Sequence, residues 1–378
     1  MTSPRQPLTR GEFIKLAGLS LGSLALSFDP SADLLQQTAS GFQHRSLASA
    51  RSKLAEFPQA ERLGRVLGGK VEVKARPDDE SPTVKELFED TVVIWLHELV
   101  GSRPLWNHQR YVETPEGYIY SPNLQPVRNQ PNSPLTTLPV PEGMWVEVTV
   151  PYVDLVLANP PARSPWLEYT STPRLYYSQV MWVDQIKSDE QGRIWYRALE
   201  RYGSFGDIFW APAEAFRPVQ AQEISPLHPE VEEKLVVVDV TYQTMSCYEG
   251  NEEVYFCQVS TGPKIASTES TEAKWATPPG KHTIWRKLVS VHMTGGTTGG
   301  GYDLPGIGWT TLFASKGMAI HSTFWHNSFG VPMSHGCVNA TPEDAMWIFR
   351  WTAPQVPFDT GDITISGKGS TKVLVQES

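Results

Sequence analysis

The chain has 378 residues, 40% apolar and 11% aromatic, with a formal net charge of −9. That length implies two or three packed domains and that composition excludes a disordered chain, while the acidic balance disfavours nucleic acid or another polyanion as main partner. No apolar run reaches the roughly 20 residues of a membrane-spanning helix, so no transmembrane span is expected, and three cysteines (Cys247, Cys257, Cys337) are too few for a disulfide scaffold.

Residues 1–28 read as an export signal. Arg5, Arg10 and Lys15 form a basic start, and Leu16 to Phe28 is an uncharged run of Leu, Ala, Gly, Ser and Phe. The segment Thr9 to Leu16 resembles a twin-arginine signal with Gly11 where the second Arg belongs, so export to the cell envelope is expected without a choice of route. A helical linker over 29–63 follows, because Leu47, Leu54, Phe57, Leu63 and Val66 recur among charged residues, with a break near Pro58.

From residue 64 the pattern changes to short β-like runs. A first β module is expected over 64–128, with strands at Lys70–Val73, Thr91–Trp95, Tyr111–Val112 and Tyr118–Tyr120. A Pro-rich linker spans 129–143. A second β module covers 144–220, with strands at Met144–Val150, Leu175–Val183 and Ile194–Arg197. The two modules end alike: Tyr118-Ile119-Tyr120-Ser121-Pro122 leads to Pro126-Val127, and Ile208-Phe209-Trp210-Ala211-Pro212 leads to Pro218-Val219. An aromatic strand, a Pro-bearing turn and a Pro-Val exit resemble the tail of bacterial Src-homology-3-like (SH3-like) small barrels.

The last 150 residues are mostly β with one helix. Strands are expected at Lys234–Val240, from Thr241 to Met245 onward, and at Val254–Val259, with a hairpin turn at Glu249–Glu252. If Gly250-Asn251 is a two-residue loop, Cys247 and Cys257 fall on opposite faces. A one-residue shift reverses that, and two buried free thiols are expected. Gly295 to Gly301 reads as a mobile surface loop. Thr341-Pro342-Glu343-Asp344 supplies an N-cap, a first-turn Pro and first-turn acids, so a helix should run to about Trp351 and stop before Pro354.

Three imidazoles and a thiol crowd into one short stretch: His321, His326, His335 and Cys337, with Ser334, Gly336 and Asn339 around them. A Cys becomes a useful nucleophile near neutral pH when a base takes its proton, and the base needs an orienting acceptor. Gly336 allows the positive φ or close approach that successive oxyanion-binding N–H groups require. Zinc is the competing use of these residue types, but the spacing fits no compact zinc pattern. A buried structural thiol among hydrogen-bonded histidines is the second alternative.

The segment Ala319-Ile320-His321-Ser322, then Ser334-His335-Gly336-Cys337-Val338-Asn339, resembles the catalytic signature of the L,D-transpeptidases (YkuD-like). The resemblance extends through Gln243-Thr244-Met245, Val259-Ser260-Thr261-Gly262, Thr277-Pro278-Pro279-Gly280 and Pro342-Glu343-Asp344-Ala345. It implies a mainly β fold, with a β-sandwich-like catalytic domain over 232–368 behind two small SH3-like β-barrel modules. It further implies Cys337 as acylated nucleophile and His321 as base, with the Ser322 carbonyl orienting the ring. Backbone N–H groups of His335, Gly336 and Cys337 would form an oxyanion hole. Ser334 and Asn339 would shape the substrate pocket. The role of His326 is open between substrate contact and packing beside His321, and Tyr302 is placed by position alone in a lid over the donor site.

The implied reaction joins peptidoglycan stem peptides, donor and acceptor, into 3→3 cross-links through a thioester, without metal or organic cofactor. Carbapenem β-lactams are the implied inhibitors. Family members that hydrolyse or exchange the terminal D-amino acid leave those outcomes open. A non-catalytic peptidoglycan-binding scaffold is the remaining alternative. A papain-like endopeptidase fails on residue order, since no His follows Cys337.

Overall fold

The computed structural model describes residues 54–103, 108–168, 170, 172–203, 205–263, 276–295, 302–366 and 369–378. The expected export signal, most of the helical linker, and 296–301 of the Gly-rich segment lie outside them. Among the described residues no helix is long and apolar enough to cross a membrane.

The fold is mainly β, as its alternating apolar runs dictate. One expectation fails at the start: Leu63–Val66 is a strand rather than the end of a helix. It lies antiparallel between Val92–Ile94 and Leu124–Val127. Gly64 permits that placement, because a Cβ there would sit 3.1 Å from Leu124 and 3.4 Å from Trp95. A second sheet runs in the order Thr83–Phe88, Lys70–Lys74, Gly117–Tyr120, Arg110–Thr114, His97–Val100. Val66, Val73, Val112, Ile119 and Leu124 form the small core between the two sheets.

The next segment folds as a six-stranded sheet beside a two-stranded antiparallel sheet of Tyr152–Asp154 and Arg174–Tyr176. The single strand expected over Leu175–Val183 is two strands, Arg174–Tyr176 and Val180–Ser188. Ser178 adopts a φ of 72°, and the Tyr176 N–H donates to the Gln179 side chain at 2.6 Å, which turns the chain there. The two similar tails do fold alike. Gly117–Tyr120 and Ile208–Pro212 each enter a 3-10 turn, Ser121–Asn123 and Ala213–Ala215, and leave as the strands Leu124–Val127 and Phe216–Pro218.

Two five-stranded sheets make up the C-terminal region. The first runs Glu252–Gln258, Thr244–Glu249, Lys234–Asp239, Lys372–Gln376, Gly280–Thr283. The second runs Val338–Ala340, Ala319–Ser322, Tyr302–Leu312, Arg286–Gly295, Asp362–Thr364. The strand at Lys372–Gln376 lies beyond the expected end at 368, and it pairs parallel with Lys234–Asp239 inside its sheet. The helix Pro342–Trp351 starts as its sequence dictates: Thr341 Oγ1 accepts from the Asp344 N–H at 3.1 Å, with Pro at the first turn.

Cys247 and Cys257 are buried free thiols. Glu249 pairs with Glu252, so Gly250-Asn251 is the two-residue loop, but a bulge between Cys247 and Tyr248 shifts the register. Cys247 then opposes Tyr255, and Met245 opposes Cys257, which puts both thiols on one buried face. The shift of one residue is what reverses the faces.

Candidate active site

The parallel pairing of Ala319–Ser322 with Val338–Ala340 sets the site. Ile320 opposes Val338 and His321 opposes Asn339. Paired residues share a face, and alternate residues return to it. His321, Asn339 and Cys337, immediately before the strand, therefore project to the same side.

The turn that delivers Cys337 is braced from several directions. Ser334 Oγ accepts from the Gly336 N–H at 3.1 Å and donates to the Cys337 carbonyl at 2.5 Å. Gly336 has a φ of 113°, and a Cβ there would press on Met318 at 3.0 Å, so only Gly fits without strain. Thr277 Oγ1 donates to the Gly336 carbonyl at 3.0 Å and accepts from the Gly262 N–H at 2.9 Å. Behind it, the Gln243 side chain exchanges two 2.7 Å hydrogen bonds with Thr261. The Thr261 carbonyl accepts from the N–H groups of Met333 and Ser334, and Ser260 and Asn339 exchange both backbone bonds. The motif residues far from Cys337 in sequence thus hold the turn that carries it.

His321 is 2% exposed. Its Nδ1–H donates to the Ser322 carbonyl at 2.9 Å, which leaves Nε2 as the basic atom. Burial pushes its pKa down to about 4, against the opposing pull of that bond. Burial likewise pushes the Cys337 thiol up to about 11, with the Ala319 backbone pulling the other way. The resting pair is therefore neutral imidazole and neutral thiol.

Cys337, His321, His335, Ser334, Asn339 and Tyr302 all border one cavity of about 30 Å³. Tyr302 opens the strand Tyr302–Leu312, with its ring 5.4 Å from that of His335. Burial and the neighbouring Cys337 raise its phenol pKa. Met293, Leu304 and Trp325 also line the cavity and were not singled out from sequence. Met293 opposes Leu304 in register and Tyr302 lies two residues before it, so period-two alternation carried the signal once the strand pair was known.

The Gly336 N–H is bonded to Ser334 Oγ. His326 is not among the residues lining this cavity, and the Trp325 ring lies 5.7 Å from that of His321 and 6.0 Å from that of His326. Its Nδ1 accepts from the Ser328 N–H at 3.2 Å, and its Nε2 lies 2.8 Å from the Asn339 amide. The contact is made by the Asn339 Nδ2 atom. His326 orients Asn339, which does border the cavity. Among the described residues no three of His, Cys, Asp and Glu converge as a metal site.

Residues 233–375 match the family of the L,D-transpeptidase catalytic domain (YkuD). Curated proteins give no match. Among solved structures, the chain is similar to a Cys-to-Ser mutant of the Enterococcus faecium L,D-transpeptidase at 23% identity, covering 39% of this chain and 52% of that one, with a TM-score of 0.29. It is similar to an L,D-transpeptidase from Mycobacterium smegmatis at 19% identity, covering 51% and 98%, TM-score 0.29. It also resembles L,D-transpeptidase 3 of Mycobacterium tuberculosis bearing a faropenem-derived adduct, at 21% identity, covering 45% and 74%, TM-score 0.28. The match spans about half the length of the Enterococcus protein.

Proposed function

We propose that the chain is an exported cysteine acyltransferase that forms 3→3 cross-links between peptidoglycan stem peptides. The observation that carries this reading is the orientation of His321: with Nδ1 tied to the Ser322 carbonyl, Nε2 is the basic atom in the cavity that Cys337 shares. The match of residues 233–375 to the L,D-transpeptidase catalytic domain supports the same assignment.

In this mechanism the thiol and imidazole start neutral. As Cys337 Sγ attacks the carbonyl of the third stem residue, His321 Nε2 takes the thiol proton. The developing oxyanion is met by backbone N–H groups of His335 and Cys337. Collapse expels terminal D-Ala, whose amine takes the proton from His321, and leaves a thioester on Cys337. An amine on the side chain of a second stem's third residue then attacks the thioester, loses its proton to His321 and restores the thiol. Ser334 keeps the turn rigid, and Asn339, held by His326, faces the bound chain.

The upstream modules are proposed as SH3-like, on the strength of their matching strand, 3-10 turn and strand tails. Incubation with purified disaccharide-tetrapeptide tests the reaction. One D-Ala released per dimer formed, with the new bond between two third residues, is the expected product pattern. D-Ala release without any dimer would identify a hydrolase instead.

A further inference from the structure

The first β module reaches the candidate active site through one buried cation. Arg65 lies on the strand Leu63–Val66, with its side chain 4% exposed. Its Nη1 donates to Asp90 Oδ1 at 2.7 Å, its Nε to Gln125 Oε1 at 2.8 Å, and its Nη2 to the Phe324 carbonyl at 3.1 Å. The guanidinium stacks 3.9 Å from the centre of the Tyr176 ring, and the other carboxylate oxygen of Asp90 takes Arg174 at 2.6 Å. One side chain thus joins its own module, the two-stranded sheet of the second module and the segment that follows His321.

Phe324 stands three residues after His321 and directly before Trp325. Its ring stacks on Tyr176 at 5.7 Å and 20°, and meets Trp325 edge-on at 5.2 Å. Trp325 in turn lies 5.7 Å from the His321 ring and walls the cavity. Farther along, Asn327 Nδ2 donates to the carbonyl and hydroxyl of Ser121, at 3.3 and 3.2 Å. The segment Phe324–Asn327 is therefore held from outside the C-terminal sheets by two separate grips from the first module.

We propose that Arg65 is a positioning residue for the acyl-transfer site: the planar fork fixes the Phe324 carbonyl and, through the stacked Tyr176 and Phe324 rings, sets the Trp325 wall beside His321. A lysine in its place keeps the charge but lacks the fork that spans three acceptors at once. This rests on the function proposed above, and its test has one arm that does not.

Two variants are made in the full chain, Arg65→Lys and Tyr176→Leu; the second keeps every charge and removes the stacking face together with the hydroxyl that donates to Asp90 at 3.4 Å. Acylation of Cys337 by a carbapenem is followed by mass, and amide hydrogen exchange is followed over residues 321–328. The saturating acylation rate is expected to fall about tenfold, with the half-saturating concentration within about twofold, because a wall displaced by a fraction of an ångström misaligns attack. Exchange over 321–328 is expected to rise at least about tenfold in both variants. Folded variants that acylate and exchange at wild-type rates overturn the proposal, even if they melt at lower temperature. A wild type that forms no adduct overturns the function instead, and exchange then still decides the role of Arg65.

Discussion

His321 and Cys337 carry shifts of opposite sign from the same cause. Burial disfavours imidazolium and thiolate alike, moving one to about 4 and the other to about 11. Between those values neither group changes charge in the ligand-free protein. The acylation rate at low carbapenem concentration should accordingly vary by less than about threefold from pH 5.5 to 8.5. A tenfold fall per unit below pH 6.5, or a steep rise through pH 8.5, would mean an imidazole and a thiol with ordinary values. His321→Ala should lose at least about a hundredfold in acylation rate, the usual size of a general-base contribution. His326→Ala should retain measurable acylation, since it acts on Asn339, and an equal loss in the two variants would contradict the separation. Cys337, His321 and the Gly at 336 were legible from sequence because their chemistry and φ demand those residue types. The turn of His326 toward Asn339 and the capture of the Gly336 N–H by Ser334 were not, since both depend on side-chain directions that spacing does not fix.

The elements show the same divide. The helix Pro342–Trp351 was legible at both ends, because its cap and first turn are local chemistry. The split at Ser178 and the bulge beside Cys247 were not, as the first turns on where the Gln179 side chain points and the second on pairing across the sheet. Nor was the fate of Lys287, fully buried on the strand Arg286–Gly295. Its Nζ donates to the carbonyls of Phe349, Thr352 and Pro354 at 2.5, 2.6 and 2.8 Å, closing the C-terminal end of the helix. Burial drives its pKa well below the usual lysine value. Lys287→Met fills the space but leaves three carbonyls unpaired, which should cost about 2–4 kcal/mol in chemical denaturation. A loss under about 0.5 kcal/mol would show that water replaces the ammonium.

At the scale of the molecule, the three β-rich stretches form separate sheets that share their cores. Trp145, Val180, Trp182 and Val219 from the second segment, with Ile224 just beyond it, pack in one cluster with Val236, Val238 and Trp309 of the C-terminal region. Leu63 and Val127 from the first pack in the cluster of the second. Sequence showed three β-rich stretches because apolar periodicity is local, whereas nothing local records which faces meet. A fragment of residues 229–378 should therefore melt well below the full chain or aggregate, since it exposes the apolar face that Trp145 and Trp182 cover. A fragment with the full chain's melting temperature would make the shared core energetically idle. The central claim, that Cys337 is an acylated nucleophile, is tested most directly by the intact mass of the protein after incubation with a carbapenem. The wild-type chain should gain the mass of one carbapenem on the peptide containing Cys337, and Cys337→Ala should gain none. An unmodified wild type, or an adduct that survives in Cys337→Ala, would contradict it.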